Sequence, residues 1–168
     1  MWENRSVLPR AFMVHAAEVI KDEETLARLA QPDFRPDQVV LLADGQTMNA
    51  QNDSVARDSK DQVTIADYES ERVVVKVNTA SAGYLVLTDS WYPGWEASLD
   101  GQSTPIHRAD YIFRAVELPP GDHTVVFEYR PLSFAVGAAI SGMSLLICVA
   151  LAVFAYSRAK SANSVARP

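Results

Sequence analysis

The feature that most constrains this chain is a run of 24 residues without a charge, from Ser133 to Tyr156. As an α-helix, this run would be about 36 Å long, which is enough to cross a hydrocarbon core of about 30 Å with some tilt. A buried core helix is the alternative, but such helices rarely run this far without a charged residue. We therefore predict one transmembrane helix over residues 132–157.

The charges on either side of this segment predict its orientation. Three basic residues and no acidic residue follow it, in the tail of residues 158–168, whereas the residues just before it carry both signs. By the positive-inside rule, the tail is cytoplasmic and residues 1–131 lie outside a bacterial cell membrane. All 21 acidic residues but only 12 of the 15 basic ones precede the segment, so the outer part has a formal net charge of −9. This sign excludes a nucleic-acid partner.

The amino terminus offers no route for exporting such a domain. Residues Met1–Arg5 do not begin a signal peptide, because no apolar stretch and no small-residue cleavage site follow them. We therefore expect the chain to be the C-terminal part of a polytopic protein, with upstream transmembrane helices as its partners in the bilayer. Two small-xxx-small spacings that begin at Gly137 and Ala138 would suit such helix packing. A single-pass protein, exported through its C-terminal helix, is the alternative.

The outer part is patterned as a β-structure. Val73, Val75 and Val77 alternate with polar residues, whereas residues 83–88 are apolar on both faces, as in a strand at mid-sheet. Further strands are predicted at 95–99, 102–106, 111–118 and 124–129, with a two-residue hairpin turn at Asp100-Gly101. The only cysteine, Cys148, lies in the apolar segment, so the domain needs an ordinary core rather than disulfides. We predict an antiparallel β-sandwich.

The first sixty residues predict a short α/β segment ahead of the sandwich. Residues 7–20 are extended, a helix with Asp22 as its N-cap ends before Pro32, and residues 38–42 form a buried strand. Residues 43–61 are polar, and we interpret them as an exposed, mobile loop. The predicted fold class is thus mainly β, followed by one transmembrane α-helix.

The densest chemistry lies between Asp89 and Trp95, where Trp91, Tyr92 and Trp95 surround a Pro-Gly turn. Three aromatic rings could form a platform that stacks on a sugar ring, or could anchor in the membrane interface. The alternative is that the tryptophans are core residues and that the Pro-Gly pair serves only the turn geometry.

A second cluster of polar residues follows the Asp100-Gly101 hairpin. His107, Arg108, Asp110 and Arg114 could join Asp89 in a pocket that binds a phosphate or a saccharide hydroxyl. The alternative is a set of solvated strand ends, whose surface ion pairs contribute little to stability.

Other kinds of site are not indicated. The three histidines, His15, His107 and His123, have no metal-ligand spacing, and the chain contains no nucleophile elbow, glycine-rich phosphate loop or HExxH motif. Pairs of carboxylates such as Asp89 and Asp100 occur in any acidic domain. We therefore expect no metal, no cofactor and no catalytic residue in this part of the protein.

Residues from Leu85 onward closely resemble the C-terminal region of the bacterial YfhO family of polytopic membrane proteins. The residues that carry this resemblance are the block Asp89–Trp95, the Asp100-Gly101 turn, Arg114–Val116, the turn Pro119–His123 and Tyr129–Pro131, with Leu8–Phe12 matching the opening of the outer domain. The resemblance covers most of the chain and is weakest between residues 43 and 61.

The resemblance implies a membrane glycosyltransferase that uses lipid-linked sugars and glycosylates cell-envelope polymers. In such enzymes the catalytic acids lie in an early outer loop, to which no part of this chain corresponds, so no catalytic residue is carried over. For this chain the resemblance implies an accessory outer domain that shapes an acceptor site or binds an envelope glycan or lipid-linked sugar. A structural or sugar-binding module on a membrane anchor is the alternative.

Overall fold

The computed structural model describes residues 7–48 and 61–165, which form two units, one extending through Tyr129 and the other starting at Arg130. The strands of the first unit are β1 (Ala11–Val14), β2 (Ala16–Val19), β3 (Val39–Leu42), β4 (Gln62–Tyr68), β5 (Arg72–Thr79), β6 (Gly83–Leu87), β7 (Trp95–Leu99), β8 (Gln102–Thr104), β9 (His107–Ala109), β10 (Phe113–Leu118) and β11 (Gly121–Tyr129). Its helix, α1, is Asp22–Leu29, and the helix of the second unit, α2, is Leu132–Val165.

Among the described residues, the strands form two sheets that pack as the predicted sandwich. Sheet A has the order β1-β6-β10-β9-β3-β2, and sheet B has the order β4-β5-β11-β7-β8. The pairings are antiparallel except that of β2 with β3, which is parallel because α1 connects these strands. The prediction of a mainly antiparallel β-fold is therefore confirmed.

The core between the sheets follows from strand alternation. Leu85 and Leu87 of β6 face Val75 of β5 and Phe127 of β11, and each of these side chains is at most 1% exposed. Burying an aliphatic or aromatic side chain of this size contributes about 2 kcal/mol. The central position of β6 confirms the mid-sheet strand that its continuous apolar run predicted.

Sheet A is buried on its other face as well. Tyr84 and Val86 belong to a second core cluster, with partly buried Met48 packed against it. Residues 43–48 cover this face: Met48 pairs with Ala17, and the Tyr84 hydroxyl donates to the carbonyl of Gln46 at 3.2 Å. The rest of the predicted loop, residues 49–60, lies outside the described residues.

Two local predictions were wrong, and a third was incomplete. The N-cap of α1 is Lys21 rather than Asp22, whose carboxylate instead binds Arg108. The predicted strand 102–106 ends at Thr104, before Pro105, because proline cannot donate to a ladder. Residues 7–20 contain extended chain as predicted, but it is divided into two strands, which lie on opposite edges of sheet A.

The second unit contains α2, in which the predicted apolar segment is helical. Its candidate membrane span, Leu132–Val153, has 22 residues with a mean hydropathy of 2.3. All of its described side chains are exposed within this chain, including the small residues Gly137 and Gly142. Length and composition therefore suit this helix to a membrane.

Candidate functional site

The predicted site residues gather mainly at one end of the sandwich, which we call the exit end because β11 finishes there, at Tyr129. In sheet B, Tyr129 lies opposite Trp95, the first residue of β7. In sheet A, Leu87 at the end of β6 lies opposite Arg114 and Ala11. These strand termini of the two sheets are brought together by contacts between Arg114 and Trp95.

Arg114 is the buried centre of the exit end. Its side chain is 2% exposed and its guanidinium carbon lies 3.8 Å from the centroid of the Trp95 ring and 5.5 Å from that of Phe127. Burial lowers the pKa of Arg114, and the nearby Asp89 carboxylate opposes part of that shift. Among the described residues, its Nε and Nη1 have no hydrogen-bond acceptor. The guanidinium instead lies over the faces of the Trp95 and Phe127 rings.

Asp89 neutralises this buried cation and is held by two further side chains. Its carboxylate accepts from Arg114 Nη2 at 3.2 Å, from Arg10 Nη1 at 3.1 Å and from the Tyr68 hydroxyl at 3.1 Å. Arg10 also lies over the Tyr68 ring, with 4.9 Å between the guanidinium carbon and the centroid. This set of Arg10, Tyr68, Asp89, Trp95 and Arg114 is called the Asp89 network below.

The sequence indicated only part of this network. Asp89 and Arg114 were expected to share a pocket, but the contact of Trp95 with Arg114 was not expected. Tyr68 was missed because it is 21 residues from Asp89 and belongs to the other sheet. Arg10 was noted only within the Leu8–Phe12 resemblance, since no local pattern reveals that β1 pairs with β6.

Trp91 and Tyr92 lie beside the Asp89 network at the surface. Their exposures are 37% and 62%, and the Arg108 guanidinium carbon lies 5.6 Å from the centroid of the Trp91 ring. The Trp91 amide donates to the carbonyl of Ile112 at 2.6 Å, which fixes the aromatic block against the β9–β10 hairpin. Trp95 is partly buried against the core, whereas Trp91 and Tyr92 are exposed.

His107 does not join the Asp89 network. It faces the second core cluster, where its ring packs edge-on against Tyr84 at 5.8 Å and its Nδ1 lies 3.1 Å from Asp44. Its neighbour Arg108 pairs with Asp22 at the start of α1. The residues of the predicted polar pocket therefore do not all lie together. His107 and Arg114 face opposite sides of sheet A.

Asp110 shapes the tip of the β9–β10 hairpin. Its backbone φ is 45° and that of Tyr111 is 75°, an uncommon conformation for two consecutive residues with side chains. Asp110 is 8% exposed and accepts from the Leu41 amide at 2.9 Å. Burial raises the pKa of Asp110 to about 6, although the Leu41 hydrogen bond acts in the opposite direction.

This arrangement suits rigid positioning better than acid–base chemistry. The Asp89 carboxylate is engaged by three donors, and the Arg114 cation is enclosed by rings. Among the described residues, no group of histidine, cysteine and acidic side chains could hold a metal ion. The exposed groups beside the Asp89 network include the Trp91 and Tyr92 rings as well as charged side chains such as Glu69.

Residues 42–141 match the family described as bacterial membrane protein YfhO. Over 112 residues, the chain is 29% identical to the uncharacterized protein YfhO of Bacillus subtilis (strain 168), an alignment that covers 67% of this chain and 12% of that protein. The chain thus spans about one eighth of the length of this relative. No solved structure matches the present chain. The family match includes all of sheet B, strands β6, β9 and β10 of sheet A, the Asp89–Trp95 block and the first turns of the apolar helix. The chain therefore belongs to the YfhO family of bacterial membrane proteins.

Proposed function

We propose that residues 1–131 are an extracytoplasmic accessory domain, joined by a transmembrane helix over residues 132–157 to a cytoplasmic tail over residues 158–168. The protein it serves resembles membrane glycosyltransferases that use lipid-linked sugars of the cell envelope, and its partners are the bilayer and further transmembrane helices. Support comes from the family, from the apolar helix and from the basic residues that follow it.

The observation that carries the accessory role is the engagement of both Asp89 oxygens by neighbouring side chains. A general acid or base must reach a proton on the substrate, and a catalytic carboxylate must have free lone pairs to do so. Asp89 directs its oxygens to Arg10, Tyr68 and Arg114 instead. We infer that the network holds the two sheets in register and that chemistry takes place elsewhere.

The sidedness is tested by labelling with a membrane-impermeant maleimide. In a Cys148→Ser background, Gln102→Cys places a thiol at an exposed position of the β7–β8 hairpin, and Ser161→Cys places one in the tail. In intact cells we expect position 102 to react and position 161 to react only after lysis. The reverse pattern would overturn the proposed orientation.

The accessory role is tested in nanodiscs that contain the whole chain. With a polyprenyl-phosphate-linked sugar we expect no transfer and no hydrolysis. Turnover that disappears in Asp89→Asn, while the circular dichroism spectrum is unchanged, would show that Asp89 is catalytic and would overturn the proposal.

The alternative, a sugar-binding module, is favoured by the exposed Trp91 and Tyr92 rings. Binding to an envelope-glycan array that is lost in a folded Trp91→Ala variant would select this alternative. No binding in either protein supports the structural role.

A further inference from the structure

We propose that the exit end of the sandwich is a membrane-contact surface, in which Trp91, Tyr92, Tyr111 and Ile112 enter the interfacial layer of the bilayer that holds α2. This inference rests on the membrane helix and not on the proposed sugar chemistry. Four observations favour a lipid surface as the partner. They are the distribution of exposed apolar side chains, the point at which β11 leads into α2, the groove beside the tip of the β9–β10 hairpin, and the strained backbone of that tip.

The exposed apolar side chains of the sandwich are concentrated at its exit end. Trp91, Tyr92, Tyr111 and Ile112 have exposures between 37% and 62%, and the hydrogen bond from the Trp91 amide to the Ile112 carbonyl places the two segments side by side. Tyr68, 49% exposed, lies at the same end of sheet B. Tyrosine and tryptophan are the residues that concentrate at membrane–water interfaces.

The opposite end of the sandwich is polar. There, a shallow depression is lined by Gln62, Asn78, Asp122 and His123, among other residues. Within the described part of the sandwich, this end exposes no large apolar side chain. The two ends are separated by the length of β11, nine residues or about 30 Å.

The connection between the exit end and α2 is short. Only Arg130 and Pro131 separate Tyr129 from Leu132, the first residue of the candidate span. Three consecutive Cα–Cα steps cover at most about 11 Å. The end at which β11 finishes is thus held within reach of the headgroup layer, whereas the polar end has no such tether.

A groove of about 420 Å³ extends the apolar surface from the hairpin tip. Its lining is apolar apart from one carboxylate, and consists of Leu26, Leu29, Phe34, Pro36, Asp110, Tyr111, Ile112 and Phe113. A groove of this composition accepts hydrocarbon rather than a sugar, because Asp110, which already accepts from the Leu41 amide, is the one charged side chain along these walls.

The backbone of the tip also indicates function. Tyr111 has a positive φ, a conformation that glycine would adopt without strain. Its side chain is nevertheless large, aromatic and 40% exposed. A strained position that presents an apolar ring to the surface is expected where that ring makes a contact outside the chain.

The test places a fluorophore at defined positions of the whole chain in phosphatidylcholine nanodiscs. In a Cys148→Ser background, an environment-sensitive probe is attached to Ile112→Cys, to Gln102→Cys at the far end, or to Ser70→Cys in the β4–β5 turn at the exit end. Brominated lipids then report contact by quenching. We expect at least twofold quenching at position 112, less at position 70 and none at position 102.

A second variant separates docking from simple tethering. Trp91→Ser combined with Tyr92→Ser removes two exposed rings and leaves the Asp89 network in place. If the apolar side chains make the contact, quenching at position 112 falls to the level at position 102. Persistent quenching in this variant, or equal quenching at positions 112 and 102 in the parent, would overturn the proposal. Neither result bears on the maleimide test of sidedness.

Discussion

Arg114 shows how one residue can join the two sheets. A cation buried between Trp95 and Phe127 is tolerated because Asp89 supplies the opposite charge and the rings supply their negative faces. Lysine could not replace it, since a compact ammonium group lacks the planar surface that stacks on an indole.

We expect Arg114→Ala to lower the free energy of unfolding by about 3 kcal/mol, because it breaks a buried ion pair and opens a cavity beside Trp95. Arg10→Ala is the matched control. It removes another arginine from the same carboxylate, but its side chain is 56% exposed, so we expect a loss below about 1 kcal/mol. Urea unfolding in detergent, followed by tryptophan fluorescence, measures both. Equal losses would show that burial of Arg114 does not matter.

Asp110 and Asp100 form a second matched pair at the scale of single residues. Both have a positive φ, 45° and 51°, which asparagine tolerates well. The pKa of Asp110 is raised to about 6 by burial, whereas hydrogen bonds from His123 and the Thr124 amide lower the pKa of Asp100. The same change to asparagine should therefore have opposite effects at the two positions.

For Asp110 the unfolded chain loses its proton near pH 4 and the folded chain near pH 6, so stability falls as the pH rises between these values. At pH 7 we expect Asp110→Asn to be more stable by at most about 3 kcal/mol, because it removes a buried charge while its amide oxygen can still accept from Leu41. Asp100 contributes stability above its unfolded pKa that is lost on acidification, and Asp100→Asn should therefore destabilise at pH 7. Urea midpoints across pH 3–8 provide the measurement. A loss of stability in Asp110→Asn at pH 7 would contradict the buried-carboxylate interpretation.

At the scale of elements, close approach of backbones determines how β1 pairs with β6. A Cβ atom added to Gly83 would lie 2.5 Å from the carbonyl oxygen of Val14, so the two strands could not keep their register. Gly101, in the β7–β8 turn, has open space around it and a φ of 83°. The two glycines are thus required for different reasons, one for space and the other for conformation.

We expect Gly83→Ala to cost about 3 kcal/mol, since overpacking against backbone cannot be relieved by a change of rotamer. Gly101→Ala should cost only about 1 kcal/mol, the penalty of a left-handed alanine. Thermal or urea unfolding of both variants in detergent gives the comparison. If the order of the two losses were reversed, the close contact between β1 and β6 would be wrong.

Local patterns predicted the elements better than their connections. The alternating valines of β5, the continuous apolar run of β6 and the Asp100-Gly101 hairpin were all confirmed. The separation of β1 and β2 to opposite edges of sheet A was not predictable, because pairing with β6 and β3 depends on distant residues. For the same reason the Asp89 network was only half predicted: Tyr68 is brought to Asp89 by the stacking of the two sheets.

At the scale of the whole molecule, charge and apolar surface are distributed differently. The part of the chain before the apolar segment has a formal net charge of −9, and acidic residues such as Glu69 and Glu71 lie at the exit end as well. Attraction to an anionic bilayer therefore cannot drive the proposed membrane contact. Its driving force has to be burial of aromatic and aliphatic side chains, which is insensitive to moderate salt.

This argument predicts how lipid charge affects the contact. At low salt we expect the probe at position 112 to be quenched less by brominated lipid in nanodiscs rich in phosphatidylglycerol than in phosphatidylcholine, because the acidic domain is repelled. Added salt should restore quenching in the anionic discs, since the Debye length shrinks to about 10 Å near 0.1 M. Quenching in the zwitterionic discs should not change with salt. The probe at position 102 controls for changes in the lipid itself. Stronger quenching in anionic discs, abolished by salt, would mean that basic residues rather than the aromatic surface hold the domain to the membrane.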